Sequence, residues 1–156
     1  MRHSLAVLLV LLLAQVVVSP ETFAQRTDST DAALPTLGQQ EEVRGVSLEQ
    51  NYPNPFRTET RIPFVLGADL FEDGRSVVVS VRVYNIIGQH IASPVVVDNV
   101  FAAGQPAEGI SYDLPGRFEV LWDGRDNGGD MVASGLYFCR ITANGAQDII
   151  KMLVRR

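Results

Sequence analysis

The sequence of 156 residues predicts an all-β domain, an antiparallel β-sandwich of about seven strands that follows a signal peptide and a flexible linker. Three observations predict it. Apolar and polar residues alternate in several short segments, turn-forming residue pairs separate these segments, and no helical 3.6-residue apolar stripe appears beyond the N-terminal region. Hydrophobic residues make up 46% of the chain, which is enough to build a core. Six or seven short strands joined by turns are typical of a β-sandwich.

The first 24 residues are predicted to be a signal peptide. Met1-Arg2-His3 gives a short basic start, and residues 5–18 are almost entirely apolar. This apolar run is shorter than the roughly 20 residues that a membrane-spanning helix needs. Small residues at the −3 and −1 positions predict cleavage between Ala24 and Gln25. An uncleaved N-terminal anchor is the alternative; no cysteine follows the run, which disfavours a lipid anchor.

The mature chain is expected to be exported through the periplasm without a membrane span of its own, since no later stretch approaches spanning length. Residues 25–45 are polar, contain Pro35 and lack apolar periodicity, which predicts a flexible linker. The folded domain is then expected over residues 46–156, a length that suits one β-sandwich.

The first well-defined strand is predicted at Thr60–Leu66, where Ile62, Phe64 and Leu66 share one face. Pro63 has no amide N–H, so this strand is expected at a sheet edge or paired on one side only. The same alternation predicts further strands at 76–84, 117–122, 136–143 and 149–155, and a weaker one at 89–97. Turns are predicted at Asp73-Gly74, Asn127-Gly128 and Asn144-Gly145.

Composition and charge argue against several function classes. The chain has 13 Lys+Arg and 18 Asp+Glu, a net charge of −5, which gives no general attraction to nucleic acid. The single cysteine, Cys139, excludes an intrachain disulfide and a multi-cysteine zinc site, and a core position is expected for it. The mature chain has one histidine, His90, and no G-x-S-x-G motif, so the sequence predicts no catalytic residues and no cofactor.

The loop 123–130 is the one metal candidate, because its closely spaced Asp and Asn oxygens suit calcium. It departs from an EF-hand loop, since Arg125 takes a ligand position and Ser134 stands where the closing Glu is needed. We therefore expect a hairpin loop whose polar side chains bind the backbone, and no metal.

A short proline-containing motif carries a family resemblance. The motif consists of Asn51, Tyr52, Pro53, Asn54, Pro55 and Phe56. With Leu48-Glu49-Gln50 before it, it resembles the opening of the C-terminal sorting domains of type IX secretion cargo. Those domains continue Asn-Pro-Ser-Thr-Thr-Ile-x-Phe-x-Leu. Thr60, Ile62, Phe64 and Leu66 keep that register here, whereas Arg57, Thr58, Glu59 and Arg61 depart from it.

Three later features extend the resemblance over about 110 residues. Residues 81–89 look like the family's central strand and glycine turn. The stretch with Trp122, Asp123, Gly124, Gly135 and Tyr137 is similar both to these domains and to the immunoglobulin-like domain of the flagellar hook-capping protein. Lys151-Met152 completes the sorting pattern. Residues 98–113 do not fit, because they look like an inserted loop.

The resemblance implies an immunoglobulin-like fold and a non-enzymatic address function. The implied partners are the outer-membrane type IX translocon and its sorting-domain peptidase. The protein would be secreted or attached to the cell surface, and a cut in the linker would precede Leu48. The position of the domain at the end of this chain favours sorting over hook capping.

The motif also has a purely structural interpretation. Pro53 and Pro55 restrict the backbone, Asn51 and Asn54 are expected to cap adjacent turns, and Tyr52 and Phe56 to act as apolar anchors. The motif would then be a rigid turn that fixes the first strand, which is compatible with recognition. The alternative function is an extracellular adhesion or carbohydrate-binding module, with Tyr84, Tyr112 and Phe101 as loosely placed candidate ligand contacts.

Overall fold

A computed structural model describes residues 44–156, which form nine β-strands and one short 3-10 helix. The predicted cleavage site at Ala24 and Gln25, and all but the last two residues of the predicted linker, lie outside the described residues. The elements in chain order are β1 Val46–Leu48, β2 Thr60–Leu66, the 3-10 helix Ala68–Phe71, β3 Val77–Tyr84, β4 His90–Ala92, β5 Val95–Val96, β6 Ile110–Tyr112, β7 Gly116–Trp122, β8 Gly135–Ala143 and β9 Ala146–Val154.

The strands form two sheets, and every pairing between named strands is antiparallel. The first sheet has the order β1-β2-β7-β5, and the second has the order β4-β3-β8-β9, with β6 also paired to β3. The predicted alternation is confirmed. Ile62, Phe64 and Leu66 of β2 and the valines 77, 79, 81 and 83 of β3 are all buried in one core. The prediction of an all-β sandwich is therefore confirmed, with nine strands where about seven were expected.

The weak strand predicted at 89–97 is instead two strands in different sheets. β4 pairs with β3 in the second sheet, whereas β5 pairs with β7 in the first. The chain crosses between the sheets at Ser93-Pro94, where the proline removes a backbone donor. The sequence did not reveal this crossing, because Ile91 on one side and residues 95–97 on the other both favour a strand.

The expectation for Pro63 was wrong. Strand β2 is an inner strand that pairs with β1 on one side and β7 on the other. Pro63 is tolerated because β1 ends at Leu48, and the Pro63 carbonyl still accepts the Glu49 N–H at 2.9 Å. The nitrogen of Pro63, which carries no hydrogen, therefore lies where the pairing of β2 with β1 has ended and the isolated bridge between Tyr52 and Arg61 has not yet begun.

The turns lie at the predicted residues, except that one of them is displaced by one residue along the chain. Asn144 and Gly145 have φ values of 46° and 94° and join β8 to β9 in a two-residue hairpin. At the predicted Asn127-Gly128 turn the positive φ falls on the next residue, Gly129, at 86°.

Residues 98–113, which we call the edge segment, are hydrogen-bonded into both sheets. Gly104 N–H donates to the Val96 carbonyl at 2.8 Å, and Val81 N–H donates to the Ala107 carbonyl at 2.7 Å. β6, which the sequence did not predict, pairs with the start of β3. The segment thus covers exposed edges of β5 and β3, which would otherwise present unpaired backbone groups. No helix in residues 44–156 has the length and apolar character needed to cross a membrane.

Candidate functional site

The proline motif lies along the outer edge of the last strand. Phe56 N–H donates to the Leu153 carbonyl at 3.0 Å, and Arg155 N–H donates to the Phe56 carbonyl at 2.8 Å. The Asn54 side-chain oxygen accepts the Leu153 N–H at 2.9 Å. We call residues 50–56 together with 151–156 the terminal clasp. It brings together two sequence features that are about 100 residues apart.

An aromatic cluster forms the base of the clasp. Phe56 is buried and meets Trp122 edge-on at 5.3 Å between ring centroids. Tyr137 meets Trp122 at 5.5 Å, also edge-on, and the Trp122 indole N–H donates to the Arg125 carbonyl at 2.8 Å. Such edge-to-face pairs add to the free energy gained by burying the rings.

Asn51 holds the turn from inside. Its buried side-chain nitrogen donates to the Thr60 hydroxyl at 2.9 Å and to the Pro53 carbonyl at 3.2 Å. The Gln50 side chain donates to the Asn51 side-chain oxygen at 2.6 Å. Both proline peptide bonds, Tyr52–Pro53 and Asn54–Pro55, are cis. Asn51 thus stabilises its own turn, as expected, whereas Asn54 caps strand β9 and not an adjacent turn.

Tyr52 is not an apolar anchor. Its side chain is 46% exposed, and its hydroxyl donates to Glu119 on β7. Arg61 forms an ion pair with the same carboxylate at 3.1 Å. The Tyr52 hydroxyl and Arg61 hold the pKa of Glu119 below its usual value, because both favour the ionised form. Tyr52 therefore belongs to an exposed polar network on the outer face of the first sheet.

Arg156 is the component that sequence reasoning missed. Its guanidinium donates to the carbonyls of Gly124 and Arg57, both at 2.8 Å, and of Val132 at 3.1 Å. Gly124 has a φ of +68°, and a Cβ there would lie 3.0 Å from the Arg156 guanidinium. No sequence signal pointed to this contact, since the three carbonyls are 24 to 99 residues away.

Lys151 and Met152, which are adjacent in the sequence, lie on the surface and in the core respectively. Met152 is buried, whereas Lys151 is exposed and contributes its carbonyl to Gln50 at 3.3 Å. Gly135, at the start of β8, pairs with Val154. Asp123 accepts the Arg125 N–H at 3.1 Å, so its carboxylate shapes the loop that follows Trp122.

The loop 123–130 uses its carboxylates on its own backbone. One Asp126 oxygen accepts the N–H groups of Gly128 at 2.9 Å and Asp130 at 3.0 Å. The Arg125 guanidinium donates to the Gly129 carbonyl at 2.8 Å. Within residues 44–156, no group of three or more His, Cys, Asp or Glu side chains is placed to hold a metal ion.

Cys139 and His90, the two side chains considered for catalysis, have different surroundings. Cys139 is fully buried on β8, and burial raises the pKa of its thiol. His90 Nε2 lies 3.0 Å from the Ala92 carbonyl and 3.2 Å from the Ser93 hydroxyl. The Ser93 hydroxyl donates to Glu108, which Arg82 also binds. This differs from a catalytic triad, in which the carboxylate orients the second ring nitrogen of the histidine.

No family model and no curated protein sequence matches this chain. Among solved structures, the chain is similar to dimeric latent PorU from Porphyromonas gingivalis, with 18% identity and a TM-score of 0.45. The match covers 72% of this chain and 10% of that chain. The chain thus corresponds to about a tenth of that protein, and the likeness is too weak to carry an argument about function.

Proposed function

We propose that residues 46–156 form a non-enzymatic sorting module that directs export across the outer membrane by type IX secretion machinery. The observation that carries the proposal is the terminal clasp. The two ends of the family-like pattern, Asn51–Phe56 and Lys151-Met152, meet along the edge of β9 through hydrogen bonds to its backbone. A sorting receptor that binds this edge would therefore contact both segments at the same time.

The exposed side of the clasp is the proposed recognition surface. Pro53, Asn54 and Pro55 are exposed along the edge of β9. The exposed Tyr52 side chain lies on the outer face of the first sheet, and the exposed Lys151 side chain lies on the outer face of the second. Phe56 and Asn51 fix this surface from below. A surface held rigid before binding loses less conformational entropy when a partner docks, which favours recognition.

The proposed partners are the outer-membrane translocon and the sorting-domain peptidase implied by the resemblance. On this proposal the protein enters the periplasm through its signal peptide and is then secreted or attached to the cell surface. Cleavage by the peptidase would occur in the linker before Leu48.

Two observations favour a role without catalysis. The Cys139 thiol is buried in the core, where it cannot meet a substrate. Glu108 lies 3.9 Å from the same ring nitrogen of His90, Nε2, that faces the Ser93 hydroxyl at 3.2 Å, whereas the carboxylate of a catalytic triad binds the other ring nitrogen. The proposal therefore assigns no active site to the described residues.

A fusion experiment tests the proposal. Residues 46–156 joined to the C-terminus of a signal-bearing reporter should carry it to the surface or medium of a type IX-competent host, and the reporter alone should stay in the periplasm. Lys151→Ala, a change at an exposed side chain, should reduce export and leave the unfolding free energy within about 0.5 kcal/mol. Arg75→Ala is the matched control, because Arg75 is exposed and, within residues 44–156, forms an ion pair with Asp73 alone. A folded, soluble fusion that remains periplasmic would show that the module does not sort.

An adhesion or carbohydrate-binding role is the second candidate, favoured by one groove. This groove has a volume of about 550 Å³, and Asp98, Phe101, Tyr112, Asp113 and Phe118 contribute to its lining. Tyr112 is mostly buried, which raises its pKa to about 12. Tyr84 is not part of it and lies on the outer face of the second sheet. Thermal stabilisation by soluble oligosaccharides, lost on Phe101→Ala, would favour this role.

A further inference from the structure

The outer face of the second sheet is unusually apolar for a solvent-facing surface. Its outward positions include Val78, Leu136, Ile149 and Leu153, which are all exposed. Leu136 and Leu153 are directly opposite each other on β8 and β9. Large exposed apolar areas on soluble domains commonly mark interaction surfaces.

The charged side chains that project outward from β3, β8 and β9 are all basic. The outward positions of β3, β8 and β9 carry Arg82, Arg140 and Lys151 and no Asp or Glu, although the chain has a net charge of −5. Arg82 is paired with Glu108 at 3.2 Å. Among residues 44–156, neither Arg140 nor Lys151 forms an ion pair with a carboxylate. The face therefore offers two uncompensated cations among apolar side chains.

A protruding aliphatic turn adjoins this face. Ile86 and Ile87 occupy the tip between β3 and β4 and are 72% and 80% exposed. The turn is rigid, because the Asn85 side-chain oxygen accepts the N–H groups of Ile87 and Gln89 at 3.2 and 2.9 Å. A depression of about 260 Å³ connects tip and face; its lining includes Tyr84, Ile86, Phe138, Arg140 and Ile149.

We propose that this tip and face dock on an anionic lipid bilayer. Ile86 and Ile87 enter the boundary between headgroups and acyl chains, while Arg140 and Lys151 lie against the lipid phosphates. A bilayer fits this arrangement better than an acidic peptide, because it accepts protruding aliphatic side chains and requires no fixed carboxylate positions. This interaction goes beyond sorting and does not depend on it.

A fluorescent label at the tip tests the proposal on the full chain. An environment-sensitive dye attached to Ile87→Cys labels one site, because the native Cys139 is fully buried. A second protein, labelled at Arg75→Cys, reports on the opposite end of β3. Because both proteins share residues 1–43, any lipid affinity of that region is the same in each.

We expect a blue shift for the tip label on phosphatidylglycerol vesicles, with little shift on phosphatidylcholine vesicles and a smaller shift for the Arg75→Cys label, which lies at the far end of the face from the tip. Adding Lys151→Glu should weaken binding at least about fivefold, since a cation near an anionic surface contributes roughly 1 kcal/mol. Gln147→Glu, which adds a negative charge at an exposed position of β9 without removing Lys151, should weaken binding less. Equal shifts on both lipids, equal shifts for both labels, or no shift would overturn the proposal. Binding of soluble polyglutamate with the same affinity as vesicles would also overturn it, since the partner would then be an acidic peptide.

Discussion

The two long edges of the second sheet are closed in different ways. At β9, the terminal clasp combines backbone pairing with buried side chains, chiefly Phe56 and Asn51. At β3, the edge segment supplies backbone hydrogen bonds and buries Tyr112 against Phe64 and Phe118, while Val100 and Phe101 point into solvent. Both protect an edge from pairing with other chains. The difference implies that side chains stabilise the clasp, whereas residues 98–105 of the edge segment depend mainly on the path of their backbone.

The largest expected difference comes from two phenylalanines. Phe56→Ala should lower the free energy of unfolding by about 3–5 kcal/mol, because it opens a cavity against Trp122. Phe101→Ala, at a side chain that is 94% exposed, should change it by no more than about 0.5 kcal/mol. Urea unfolding of both variants measures the two values. A loss below about 1 kcal/mol for Phe56→Ala would show that the clasp is not part of the core.

A smaller difference is expected between two asparagines. Asn51→Ala should cost about 1–3 kcal/mol, since it leaves the buried Thr60 hydroxyl without one of its partners. Asn99→Ala removes a cap on the Phe101 N–H in an exposed part of the edge segment and should cost about 0.5 kcal/mol. The same urea titration compares them. Similar losses would mean that both edges depend equally on their side chains.

The long strands could be predicted because seven or more alternating residues give a clear period of two. β1 and β6 could not, since three residues are too few to show a period. The crossing at Ser93-Pro94 was not predicted, because the residues of two short strands in different sheets follow each other closely and together predict one weak strand. Pro63 was placed at an edge because sequence shows that a donor is missing but not where a neighbouring strand ends.

The candidate site was predictable only in part. The motif and Trp122 were identified from their residues, and the burial of Phe56 follows from its hydrophobicity. Arg156 could not be identified, because its partners are carbonyl groups whose position depends on the whole fold. Tyr52 was misjudged for a related reason: its partner Glu119 is 67 residues away on another strand.

The last two residues, Arg155 and Arg156, allow a matched comparison of two arginine-to-alanine variants. Arg156→Ala should cost about 1–2 kcal/mol, because three hydrogen bonds from a charged group are lost at a partly exposed site. Arg155→Ala should stay within about 0.5 kcal/mol, since the hydrogen bond that Arg155 makes within the described part of the chain comes from its backbone N–H, which donates to the Phe56 carbonyl. Thermal unfolding of both variants provides the measurement. Equal effects would show that the C-terminal guanidinium does not hold the Gly124 loop.

The smallest expected effect is a difference in acid sensitivity between two carboxylates. The pKa of Glu119 is lowered chiefly by the Tyr52 hydroxyl, and that of Glu108 chiefly by the Ser93 hydroxyl. A carboxyl whose folded pKa is lowered stabilises the fold fully above its unfolded pKa, about 4.3, and loses this contribution as pH falls through the folded pKa. The Tm difference between the wild type and Glu119→Gln should therefore shrink on acidification below about pH 5. The same comparison for Glu108→Gln should change less, because the Glu108 side chain is 39% exposed and that of Glu119 only 12%, so solvent screens its partners more strongly. If acidification changed the Tm difference more for Glu108→Gln than for Glu119→Gln, the expectation would be wrong. The carboxylate that contributes more to stability would then be Glu108, in the edge segment.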